Sequence, residues 1–108
     1  MKPDGFRKLA MAMPEAEEGE HHNHPDFRVA GKVFATIGPD ETWAMVKVTP
    51  ETQAKLSRES PEVFEPVNGA WGKQGCTRVE LKNATVKVVR PAVKAAWLKN
   101  APDDLLDE

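Results

Sequence analysis

The sequence predicts a two-layer α+β domain: an antiparallel sheet with helices on one face, in the order α-β-β-β-α-β-β-α. Three observations carry the prediction. Residues 27–37 alternate apolar and polar with period two, as a half-buried strand does. Thr49-Pro50-Glu51 is a helix start set between strand-like runs, with Thr49 as N-cap and Pro50 at the first helical position. Residues 86–97 repeat apolar side chains at helical spacing. At 108 residues the chain is long enough for one core and one domain.

The elements follow in order. Asp4 is placed to cap a first helix in which Phe6, Leu9, Ala10 and Met13 recur at one face, and Pro14 ends it. An acidic, His-containing loop comes next. A first strand covers about Phe27 to Ala30, and after a bend or bulge at Gly31 a second continues to Ile37. On that parity Phe27, Val29, Val33, Ala35 and Ile37 share one face, while Arg28, Lys32, Phe34 and Thr36 share the other. Gly38-Pro39-Asp40-Glu41 is a turn, and Thr42–Val48 reads as a third strand.

The second helix runs to about Glu59, before Pro61. Val63–Val67 is a short strand broken by Pro66, residues 68–75 form a three-glycine loop, and Cys76–Lys82 alternates with Thr77, Val79 and Leu81 inward. A last helix over Thr85–Lys99 places Val86, Val89, Val93, Ala96 and Trp97 on one side. Pro91 requires that it kink there or begin later, near Pro91. The expected core is Val29, Val33, Val46, Val79 and Leu81 against Leu9, Val93 and Trp97.

Composition bounds the function. Net charge is −2, yet charge is segregated. Glu15 to Asp26 holds five acids and no Lys or Arg; Trp71 to Lys99 holds seven cations and one acid, Glu80; the tail Asp103, Asp104, Asp107, Glu108 is acidic again. Such polarity steers an anionic partner locally without making a strongly basic domain. No apolar run is long enough to span a bilayer, and Met1-Lys2-Pro3-Asp4 lacks the apolar core of a signal peptide. A lone Cys76 excludes an internal disulfide framework and fits a reducing cytoplasm, as a small core residue. With no nucleophile–base signature and no phosphate-cradling glycine motif, neither catalysis nor a cofactor is expected.

The run Glu18-Gly19-Glu20-His21-His22-Asn23-His24-Pro25-Asp26-Phe27-Arg28-Val29-Ala30-Gly31-Lys32-Val33-Phe34-Ala35-Thr36, then Val46-Lys47-Val48, then Gly69-Ala70-Trp71-Gly72-Lys73-Gln74-Gly75 before Thr77, then Ala96-Trp97 and Ala101-Pro102, resembles the MmcQ/YjbR family of small bacterial proteins. The resemblance implies an α+β fold grouped with secretion-chaperone-like and frataxin-like domains. It also implies DNA binding through a double-wing arrangement, the family's usual description. One departure is Cys76, which follows Gly75 where many relatives carry tryptophan.

The residues themselves point to one face. If the valines face the helices, Arg28, Lys32, Lys47, Arg78 and Lys82 share the opposite sheet face with Phe34 and Trp43, and Trp71 and Lys73 sit on the adjoining glycine loop. Cations among aromatics suit single-stranded nucleic acid: charge for phosphates, flat rings for bases. The expected nucleic-acid-binding set is therefore Arg28, Lys32, Lys47, Trp71, Lys73 and Arg78, extended by the helical stripe Lys87, Arg90 and Lys94. The expected role is weak, largely sequence-independent nucleic-acid (DNA) binding by a cytoplasmic monomer. The alternative is a protein-interaction or chaperone-like adaptor using the same face. His21, His22 and His24 with their neighbouring glutamates could ligate a metal, but a solvated loop does not fix the geometry, so no tight metal site is expected.

Overall fold

The computed structural model describes residues 1–106; Asp107 and Glu108, the end of the expected acidic tail, lie outside the described residues. Helix α1 (Pro3–Met11) leads into a four-strand meander, β1 (Ala16–His21), β2 (His24–Val29), β3 (Lys32–Ile37) and β4 (Trp43–Lys47). Helix α2 (Pro50–Glu59), strand β5 (Phe64–Pro66) and a single helical turn, α3 (Ala70–Lys73), precede β6 (Cys76–Glu80). A 3₁₀ turn at Leu81–Asn83 then enters α4 (Val86–Asn100), followed by the short α5 (Asp103–Leu106). The six strands form one antiparallel sheet in the order β1-β2-β3-β4-β6-β5. The α+β class and the antiparallel sheet are as expected; β1, α3 and α5 are added to the expected order.

Local chemistry accounts for most boundaries. Thr49 caps α2 by accepting from the Thr52 amide at 3.1 Å, with Pro50 in the first turn. Thr85 caps α4 through the Val88 amide, and α4 continues unbroken through Pro91, which is exposed, so its ring meets solvent rather than a packed neighbour. Lys2, not Asp4, takes the N-cap position of α1; Asp4 lies in the first turn and pairs with Arg7, which also donates to Glu18 of β1 at 3.0 Å.

The acidic His loop is a strand. His22 and Asn23, at φ 50° and 66°, make a two-residue turn of the kind that matches strand twist, and β1 pairs with β2 from Ala16↔Val29 to His21↔His24. Ala30-Gly31 does the same between β2 and β3, at φ 50° and 82°, so Gly31 belongs to a hairpin turn. Three glutamates on a short run concealed β1, because strand pairing there comes from backbone hydrogen bonds to β2 rather than from apolar alternation.

A bulge corrects the expected parity of β3. Phe27 pairs with Ala35 and Arg28 with Val33, leaving Phe34 as the extra residue. Phe34 and Ala35 both enter the core at 0% exposure, whereas Val33 turns to the open face. Phe34 therefore does not lie among the sheet cations. Helices α1 and α4 cover the inner face, burying Phe6, Val89, Val93 and Trp97 against Phe27, Val29, Val46, Val79 and Leu81. Leu9 packs at the margin and Val86 is exposed, outside the expected apolar side of α4. Trp97 Nε1 donates to the Pro14 carbonyl at 2.9 Å, tying α4 to the entry of β1. Among the described residues no helix is long and apolar enough to cross a membrane.

The bulge makes a prediction. Phe34→Ala should cost about 3–5 kcal/mol in urea unfolding, while Val33→Ala should cost less than about 1. Equal costs would mean that the two side chains do not face opposite ways.

Candidate binding groove

Helices α1 and α4 take the inner face; the outer face carries a groove bordered by the α3 turn. Cα partners share a face, so the register lays out its composition. One row crosses all six strands: Gly19, Asp26, Thr36, Met45, Arg78 and Glu65. Beside it lie Trp43 with Glu80, and on the other side Arg28 with Val33 and Lys47 with Cys76. Between these rows runs a groove of about 660 Å³ whose lining includes His24, Arg28, Val33, Lys47, Trp43 and Trp71. Its size falls in the usual range for small-ligand clefts.

Each prominent side chain is held by its surroundings. Trp43 lies flat on Gly38, where an added Cβ would sit 2.3 Å from the indole ring. Asp40 fixes the turn before it, accepting from the Thr42 amide at 3.1 Å and the Thr42 hydroxyl at 2.8 Å. Those two hydrogen bonds hold the Asp40 carboxyl below its ordinary pKa. Arg78 stacks over Trp43 with its guanidinium carbon 5.0 Å from the ring centre, and Lys47 Nζ lies 5.6 Å from the centre of Trp71.

Trp71 is 62% exposed on α3, the segment expected to be plain loop. That turn is pinned rather than loose. Gln53 of α2 donates to the carbonyls of Gly72 at 2.9 Å and Cys76 at 3.0 Å, and Lys99 of α4 donates to Val48 and Gln74 carbonyls at 3.1 and 3.3 Å. Gly72 is required there because a Cβ would meet the Val67 carbonyl oxygen at 1.7 Å.

Arg28 is held by two side-chain hydrogen bonds. Its Nε donates to Asp26 Oδ1 at 3.0 Å and its Nη2 to Oδ2 at 2.9 Å, a two-point fork on a carboxylate that is 1% exposed. The hydrogen bond first, and the charge of Asp26 second, raise the Arg28 pKa. Gly19 of β1 makes room for this pair: a Cβ there would sit 2.8 Å from Asp26 Oδ1 and 3.5 Å from Arg28 Nε.

Of the six residues expected at the site, Arg28, Lys47 and Trp71 come together in the groove. Arg78 lies on the same face but pairs with Glu80 at 3.5 Å and borders a neighbouring cleft of about 290 Å³ that contains Glu62, Glu65 and Glu80. Lys32 is opposite Val29, whose side chain is in the core, so Lys32 leaves on the helix side at the hairpin tip. Lys73 is exposed on α3 but does not line the groove. The stripe Lys87, Arg90 and Lys94 belongs to α4, behind the sheet, and cannot extend this surface.

Sequence reasoning missed Asp26, His21, His24 and Met45 as groove residues. The alternation Asp26-x-Arg28 was the available signal, since i and i+2 on a strand share a face. His21 and His24 face each other across the first hairpin with ring centres 6.3 Å apart, and His24 Nδ1 is buried without a protein partner. Among the described residues no group of three or more side chains is arranged to hold a metal ion.

The architecture is that of a two-layer α+β domain with one sheet face open. The YjbR family model matches residues 11–103, and the chain belongs to the YjbR family. Among solved structures it is similar to the Deinococcus radiodurans protein DR2400, described as a DUF419 domain. That match has a TM-score of 0.75 at 18% identity and covers 91% of this chain and 77% of that one. A Pseudomonas syringae protein is similar at TM-score 0.66 and 15% identity, over 93% of this chain and 99% of that one. At these identities the likeness concerns the fold. No curated protein matches the sequence.

Two measurements check this geometry. The Asp40 carboxyl should titrate below the ordinary aspartate range, and Thr42→Val should raise it. Because the folded pKa is the lower one, the turn's contribution to stability is present above the ordinary value and fades as pH falls through the folded one. Cys76 is 6% exposed, and burial raises its thiol pKa against the opposing pull of Lys47 and Lys99. Its alkylation at neutral pH should be markedly slower in the native protein than in urea; equal rates would contradict the burial.

Proposed function

We propose that this YjbR protein binds short segments of single-stranded nucleic acid, weakly and with little sequence preference, in the groove of its open sheet face. The observation that carries the reading is Trp71, 62% exposed at the groove with Lys47 against its ring, beside the Arg78–Trp43 stack on the same face. Flat rings beside cations meet both needs of a single strand, base stacking and phosphate neutralisation. The expected positive sheet does not form as a continuous surface, because Asp26, Glu65 and Glu80 alternate with Arg28 and Arg78. The footprint is therefore confined to the groove, a nucleotide or two rather than a tracked backbone. The activity is binding without catalysis, by a cytoplasmic monomer.

The interleaved carboxylates favour a second reading, a chaperone-like adaptor that takes a protein segment on the same face. Mixed charge with Val33, Met45 and Val67 suits an amphipathic chain as well. Salt separates the two. Counterion release makes nucleic-acid affinity fall with salt, by about 0.7 in log–log slope for each phosphate contact on a single strand.

In fluorescence anisotropy at low salt, a short labelled single strand should bind. Lys47→Ala should reduce the slope by about 0.7, and Trp71→Ala should weaken binding by about 1–3 kcal/mol. Lys32→Ala should change neither, since it leaves on the other side of the sheet. Absence of binding by a folded, monodisperse protein would leave the adaptor reading in its place.

A further inference from the structure

The groove offers few cations, and the best placed of them is already half used. Asp26 takes Nε and one Nη2 hydrogen of Arg28, and among the described residues nothing accepts from the remaining N–H groups. The carboxylate is buried while Arg28 lies at the groove surface. The Asp26 side of the fork thus fixes the guanidinium plane, and the free side is available to a ligand. A guanidinium held in this way loses little freedom on binding and recognises a tetrahedral or planar oxyanion at two points. Gly19 keeps the pair flat against β1, and Lys47 supplies the groove's second cationic head.

Arg28, whose charge Asp26 already meets in part and which has Glu17 opposite it on β1, can with Lys47 hold one phosphate group, not a backbone. A terminal phosphate monoester carries nearly two charges and three unshared oxygens at neutral pH, whereas an internal diester carries one charge and two such oxygens. Trp71, 62% exposed, supplies a surface for a single flat ring, and the groove volume suits a ligand of that size.

We propose that the groove is a nucleotide-end site: it takes one nucleoside phosphate unit, with the phosphate on Arg28 and Lys47 and the base against the exposed Trp71. The inference rests on the nucleic-acid reading above and narrows it to a phosphorylated strand end or a free nucleoside monophosphate. Asp26 is then a positioning residue, acting through Arg28 without touching the ligand.

The test compares two versions of one short labelled single strand, with a 5′-phosphate and with a 5′-hydroxyl, on the wild-type protein. The phosphorylated strand should bind about tenfold tighter, as one added charge-assisted contact would give. Adenosine 5′-monophosphate should compete, and adenosine and inorganic phosphate should each compete far less. Arg28→Lys keeps the charge and removes the fork; with folding checked by circular dichroism, it should bring the two strands within about twofold of each other. Lys47→Ala, remote from the buried carboxylate, should weaken the phosphorylated strand more than the hydroxyl one. Equal affinity of the two strands would overturn the end-site inference and leave groove binding of single strands standing. Competition by inorganic phosphate as strong as by the monophosphate would overturn the base contact. Binding of neither strand would overturn both readings.

Discussion

One inserted residue sets what each face of the sheet presents. At Phe34 the ladder between β2 and β3 slips by one, and two consecutive side chains, Phe34 and Ala35, enter the core. Without the slip, strand parity would bring Phe34 to the outer face and return Val33 to the inner one. The inner layer would lose a phenylalanine, and a large ring would stand in the groove. With it, Val33 lies beside Arg28 as part of the groove wall, and Phe34 adds its apolar area to the helix side. Burial of a ring of this size stabilises by roughly 1.5–3 kcal/mol, more than a bulge's lost ladder hydrogen bond costs.

The groove depends in turn on contacts made from the far side of the molecule. The α3 turn that carries Trp71 accepts a hydrogen bond from Gln53 of α2 at the Gly72 carbonyl and sits beside carbonyls bound by Lys99 of α4. Lys99 is thus spent on backbone carbonyls rather than on a ligand. Asn100 adds a bond to the Lys47 carbonyl at 3.2 Å, just beneath the groove's second cation. The polar end of α4 therefore buttresses the wall of a face it does not touch with its apolar side chains.

Charge behaves differently in space and along the chain. The acidic stretch before β2 is folded onto its edge as β1, where Glu18 meets Arg7 and Glu17 stands opposite Arg28. On the open face Arg28 and Arg78 each have a carboxylate partner, and such pairs contribute orientation more than net field. A fixed guanidinium and two cation-bearing tryptophans remain. They form a small cluster rather than a continuous positive surface.

The α+β class, the Thr49-Pro50 helix start, the strand β4 and the inward set Val46, Val79 and Leu81 were legible in the sequence, because caps and short-range periodicity are local properties of the chain. The grouping of Arg28, Lys47 and Trp71 was legible for the same reason: strand parity and a glycine-flanked turn placed them. The strand nature of the acidic segment was not, since its pairing partner, not its own side chains, makes it a strand. Neither was the reversal of Val33 and Phe34, nor the departure of Lys32 to the helix side. A bulge and a two-residue hairpin turn change which face a residue occupies without changing its neighbours in sequence, so only the register between strands decided which side chains the groove would hold.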